Sequence, residues 1–270
     1  MSVAIESVHK LDIFYDAGEN VPPPYHYAYH LELTLKPAGL DAVFELRYLN
    51  REELSEEEIL EEGFTLQDDW SWNGSLPQLW LEALQEQIDK SIWPNKPKEV
   101  REGEPVLEIQ LLSQPGEVLF AGRPADVPSW EYFLQEIMQA IYEVAKKEAP
   151  LALHYLEIGE EDDDNIEIWL NASFAERKAS ARQVGMQGSG LPGTKELSWA
   201  ALKKLLKTVY MPDYDYENAS GFPPTEPGIH ISTGEGLWFT FGESLLEPGA
   251  TTNSLDRLES AFKEIFTGHK

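Results

Sequence analysis

The run from Tyr25 to Leu35 leaves this chain the least choice of fold. Directly after Pro22-Pro23-Pro24, the residues Tyr25, Tyr27, Tyr29, Leu31, Leu33 and Leu35 alternate with His26, Ala28, His30, Glu32 and Thr34. A period of two places the first set on one face of an extended segment and the second on the other, so the run predicts a strand with one buried face. The sequence offers its first pairing partner at once. Lys36-Pro37-Ala38-Gly39 makes a turn, and Ala42, Phe44, Leu46 and Tyr48 continue the alternation with Glu45 and Arg47 outward. Residues 1–21 are ambiguous between a strand and a helical turn.

Helical signals follow. Ser55-Glu56-Glu57-Glu58 reads as a capping box with Gly63 as the stop, inside an insertion over 51–75 that holds nine acids and one base, Arg51. Ser75-Leu76-Pro77-Gln78 reads as a second helix start, continued by Leu79, Trp80, Ala83, Leu84 and Ile88. After a linker come strands near 106–112 and 117–122. The broadest apolar helix face of the chain then begins, running from Trp130 through Phe133, Leu134, Ile137, Ile141 and Val144.

The order then recurs. Strands near 151–158 and 166–174 precede a glycine-rich basic insertion over 177–195, a helix expected from Thr194, a Pro-rich linker over 211–228, strands near 229–233 and 237–242, and a helix capped by Ser254. Leu134, Ile137, Met138, Ile141 and Tyr142 fall on Leu258, Ala261, Phe262, Ile265 and Phe266 at an offset of 124 (258 − 134). The expectation is an α+β fold, internally duplicated as two ββα-ββα halves over 1–149 and 150–270. The halves, related by a pseudo-twofold, have antiparallel sheet with helices packed on one face, either as one shared sheet or as two adjoining lobes.

Charge narrows function. With 48 acidic residues against 21 basic ones, the net charge of −27 opposes binding to nucleic acid or an anionic membrane. The absence of cysteine removes disulfides, thiolate metal sites and cysteine nucleophiles. Met1-Ser-Val-Ala-Ile-Glu6 has no basic segment followed by an apolar run, so a cytoplasmic location is expected.

Two groups of residues stand out. The basic insertion runs against the charge of the chain, and Arg177, Lys178, Arg182, Gly188, Gly190, Thr194 and Lys195 are candidates for holding an anionic group at a helix start. Gly188-Ser-Gly190-Leu-Pro-Gly193 matches a dinucleotide fingerprint literally, but it lies in a hairpin-and-helix context and carries Pro192, so no nucleotide cofactor is expected. The second group comes from strand parity. Trp169 and Trp238 stand opposite the apolar positions of their strands, and with His154, Glu167, His230 and Thr240 they form a candidate partner surface. His26 and His30, about 13 Å apart along one strand, cannot share a metal ion, and no metal or catalytic group is assigned. These features predict a non-catalytic acidic protein that engages a protein partner, inhibitor- or immunity-like. The alternative is an enzyme or binder that takes a small anionic ligand through 177–195.

Overall fold

The computed structural model describes residues 5–96, 100–114, 116–160, 165–184 and 193–267. The fold is mixed α+β with antiparallel sheets, and the described residues include five α-helices. The chain divides into two compact units, Met1–Glu148 and Ala149–Lys270.

The first unit is built on strands β1 (Lys10–Asp16), β2 (Tyr27–Lys36), β3 (Gly39–Tyr48) and β4 (Trp70–Pro77). Helix α1 (Glu56–Glu61) precedes β4, and α2 (Gln78–Lys90), β5 (Val106–Leu112), β6 (Val118–Gly122) and α3 (Val127–Val144) follow it. The sheet order is β4-β3-β2-β1-β5-β6. The alternation that begins at Tyr25 is realised from Tyr27 on: Tyr29, Leu31 and Leu33 are buried in line with Leu11 and Ile13 of β1 and Phe44 of β3. Helix α3 lies on that side, with Tyr142 against Phe44 and Trp70. Trp80, Trp93 and Trp130 are fully buried beside it, the last two with ring centroids 5.6 Å apart.

The structure resolves one open segment and corrects two expectations. The ambiguous segment at the start holds β1, in the middle of the sheet. The capping signal at Ser75 does not start a helix: Ser75 pairs with Asp41 within β4, its hydroxyl donating to Asp41 Oδ1 at 2.8 Å, and α2 begins at Gln78 with Pro77 as N-cap. Sheet pairing outweighs a local cap, which contributes only about 1 kcal/mol. The ββα plan therefore becomes four strands before the first long helix. The capping box at Ser55 does form, with Ser55 Oγ accepting from Glu58 N and Glu58 Oε2 accepting from Ser55 N. Arg51, the base of this acidic insertion, binds it internally. Its guanidinium donates to Asp68 Oδ2 at 2.8 Å and Thr65 O at 2.9 Å, and it stacks 4.0 Å from the Tyr48 ring centre.

The second unit contains β7 (Leu151–Ile158), β8 (Ile166–Ser173), β9 (Lys178–Val184) and β10 (Gly193–Leu197). Then come α4 (Trp199–Val209), β11 (Asp213–Tyr214), β12 (Gly228–Ser232), β13 (Phe239–Thr240), β14 (Leu245–Leu246) and α5 (Ser254–Thr267). Its main sheet has the order β10-β9-β8-β7-β12-β13, and β11 pairs with β14. The core gathers Leu153, Tyr155, Ile168, Leu170, Leu202 and Phe262, with Phe262 stacked on Tyr155 at 4.8 Å. The basic insertion is thus a hairpin. Thr194 lies in β10, and α4 starts at Trp199, capped by Ser198 Oγ accepting from Ala201 N at 3.2 Å. Gly188 and Gly190 lie outside the described residues.

Glu247 closes the start of α5. Its carboxylate accepts from Ser254 Oγ (2.6 Å), Ser254 N (2.8 Å), Leu255 N (3.0 Å) and Thr252 Oγ1 (2.8 Å). The hydrogen bond from the Ser254 side chain, with those that follow it, pulls its pKa down to about 2. A depressed acid contributes stability above its unfolded pKa of about 4.5 and loses it as pH falls towards the folded value. Glu247→Gln is therefore expected to lower the melting temperature near neutral pH, with the gap to the native chain closing between pH 4.5 and about 2. Melting curves across that range check it; a gap that does not change with pH would show the carboxylate charge to be irrelevant.

Candidate functional site

In β7, Leu153 and Tyr155 point into the core and leave His154 on the opposite face. In β8, Ile168 and Leu170 do the same for Trp169, and in β12 and β13 Ile231 and Phe239 leave His230 and Thr240 outward. Register then sets the neighbours. Thr194, Arg182, Trp169, His154 and Ser232 form one row across five strands. Val184, Glu167, Leu156, His230 and Thr240 form the next. The residues singled out by parity thus share one face, and Arg182 and Thr194 join them there.

The contacts within this face are tight. The His154 and Trp169 rings stack at 3.6 Å, and Trp238 meets His154 edge-on at 4.7 Å. Glu167 Oε1 accepts from Trp169 Nε1 at 2.8 Å and lies 2.9 Å from His154 Nε2, so His154 carries its proton on Nε2. Burial lowers the His154 pKa, with the Glu167 charge opposing, and the neutral ring keeps Nδ1 as an acceptor. His230 is also held below its usual pKa by burial; Nε2 donates to Glu226 O at 3.2 Å and Nδ1 accepts from Thr240 Oγ1 at 3.0 Å. His230 and Trp238 are covered, Trp238 to 8% exposure, so both brace the face from within. His154, Glu167 and Trp169 are half-buried and partly reachable.

The basic candidates are divided by the pleat. Arg182, Thr194 and Lys178 share the outward parity, but Lys178 sits at the far end of β9 and pairs with Glu176 at 3.1 Å. Arg177 occupies the turn in the left-handed region at φ 53°, with its guanidinium 5.6 Å from the Trp199 ring centre. Lys195, paired with core-facing Ala181, turns to the helix side and donates to Ile265 O at 2.7 Å. There it satisfies a last-turn carbonyl of α5, as cations do at helix ends. It also borders a groove of about 370 Å³ between β10, α4 and α5, where Lys195 and Lys204 are matched by Glu196 and Glu264.

Comparison with family models, curated proteins and solved structures finds no match for this chain.

Sequence reasoning missed the aromatic segment beyond α4. Tyr210, Met211 and Tyr216 are exposed, and Phe222 is 80% exposed. Tyr214 and Tyr216 pack edge-on against Phe239 at 4.8 and 5.3 Å, and Ser220 pairs with Trp238. This ties the segment to the strand that brings Trp238 to His154. One signal was readable: Gly221-Phe222-Pro223-Pro224 places an aromatic where no helix or strand can bury it.

Proposed function

We propose that the chain is a non-catalytic binding protein that engages a protein partner through its second unit, in the manner of an inhibitor or immunity-type protein. The observation that carries this reading is the exposed aromatic segment Tyr210–Phe222 braced on the Trp238–His154–Trp169 stack. Aromatic anchors on a rigid support are the surface type that concentrates binding energy, because little conformational freedom is lost on contact. The net charge of −27 favours a partner with a basic surface and speeds its approach. The anionic-ligand alternative has less support. Its basic residues lie on two sides of a sheet, and the lysines at the α4–α5 groove are charge-balanced by Glu196 and Glu264.

We further infer that the two units are copies of one plan. Support comes from the sheet orders β4-β3-β2-β1-β5-β6 and β10-β9-β8-β7-β12-β13, each with one long helix after the fourth strand of that sheet and another after its sixth, the latter preceded by β14 in the second unit. In both, a histidine and a carboxylate bridge the first two strands on the outward face: His30 with Asp12, and His154 with Glu167.

The test is capture from an extract of the source cells on immobilised native chain, repeated with Phe222→Ala and with Phe222→Ala/Tyr216→Ala. A loss of bound partner by at least about tenfold, with circular dichroism unchanged, is expected for anchor residues. Retention equal to that of the native chain would overturn the assignment of this surface.

A further inference from the structure

The outward face of the first sheet carries a side-chain set that the binding reading does not use. Asp12 of β1 stands directly opposite Glu32 of β2, and His30 lies two positions before Glu32 on the same face. His30 Nε2 lies 2.5 Å from Asp12 Oδ1, and one donor atom from each of Asp12, His30 and Glu32 lies within 4.8 Å of the other two. All three side chains are about a third exposed. The sheet dips beside them into a depression of about 310 Å³ that has His30 in its wall, with Phe14 and Arg47 also lining it.

We propose that Asp12, His30 and Glu32 form a divalent metal site that takes zinc or manganese. The donor set decides the class of ion. One imidazole nitrogen and two carboxylate oxygens suit a first-row divalent cation, whereas calcium and magnesium prefer oxygen alone and copper(I) prefers sulfur. Distance is compatible. Bonds of about 2.0–2.2 Å put neighbouring donors of a tetrahedral ion roughly 3.4 Å apart. The His30–Asp12 pair opens by about 1 Å, and Glu32, whose donor lies within 4.8 Å of theirs, closes by at most about 1.4 Å, both within side-chain rotations that partly exposed groups make readily. The metal takes the place of the proton between His30 Nε2 and Asp12, and His30 then carries its hydrogen on Nδ1. The depression leaves room for water or a small ligand to complete the shell.

Lys10 is the competitor. Its ammonium lies 2.8 Å from Glu32 Oε2, and this exposed pair must separate for Glu32 to turn to the ion. Exposed pairs are weak, so the ion prevails at modest concentration.

The experiment is calorimetric titration of zinc chloride, and separately manganese chloride, into the chelator-treated 270-residue chain. One saturable equivalent is expected. Asp12→Asn and His30→Ala are each expected to weaken it at least tenfold, and His9→Ala, a histidine outside the set, to leave it unchanged. Lys10→Ala should tighten binding several-fold, an effect that a simple His30–Asp12 ion pair would not produce. The proposal is overturned if the native chain shows no saturable uptake of either metal. Uptake that survives both Asp12→Asn and His30→Ala with circular dichroism intact, or that Lys10→Ala weakens, overturns it equally.

Discussion

Replacing Trp130 with alanine is expected to destabilise the first unit by about 3–5 kcal/mol, the cost of emptying a large aromatic site in a packed core. The indole is fully buried, with Trp93 at 5.6 Å and Phe133 edge-on at 5.9 Å. Its Nε1 donates to Ser91 Oγ at 2.8 Å, and Ser91 Oγ in turn donates to Gln87 O at 2.6 Å, so the ring also pins the end of α2. Trp130→Phe keeps most of the volume and breaks that chain of bonds, and a loss nearer 1–2 kcal/mol is expected. Urea unfolding of the two variants separates packing from hydrogen bonding. Equal losses would mean that the bond to Ser91, not the filled volume, holds this corner together.

Gly39→Ala is the second large effect. Gly39 opens β3 at φ 149°, and a Cβ built there would stand 2.1 Å from Leu76 O and 3.0 Å from Pro77 C. Both obstacles are backbone atoms of β4, so no side-chain rotation relieves the overlap. The strand must leave its register with Pro77 or the β2–β3 turn must open. Strain of this kind costs at least about 1–3 kcal/mol on top of the lost pairing. Hydrogen exchange in β4 reports it, with amides from Trp70 to Leu76 expected to lose protection first. Protection equal to that of the native chain would show that the hairpin absorbs the methyl group without moving β4.

What could be read from the sequence was local. The alternation around Tyr29, Leu31 and Leu33 and the apolar faces of α3 and α5 each declare themselves within one element. Strands β9 and β10 did not, because β9 turns only Ala179 and Ala181 to the core and β10 is a polar edge. Small residues bury too little area to mark a strand; register with β8 makes it one. Parity placed His154, Trp169 and Trp238 on one face, since alternation fixes direction even where burial is unknown. It could not give exposure, and Trp238 proved covered. The fate of Lys195 depended on which side of the pleat it took, which only the pairing of β10 with β9 determines. His30 compared with His26 yields nothing, because strand partners four apart diverge. Its neighbour Asp12 lies eighteen positions away, in a strand the sequence left undecided.

The placement of β1 between β2 and β5 bears on how the chain emerges during synthesis. Lys10 pairs with Leu112, 102 positions later (112 − 10). At roughly 5–20 residues per second, β1 waits about 5–20 s for β5, and for most of that time one edge is satisfied by β2 and the other is open. An open edge is a template for any neighbouring nascent chain. The acidic insertion between β3 and β4 leaves the ribosome well before β5, so like-charge repulsion is already in place while that edge is bare. The acidity of this protein is thus expected to act on a timescale of seconds, guarding a sheet that is still unfinished.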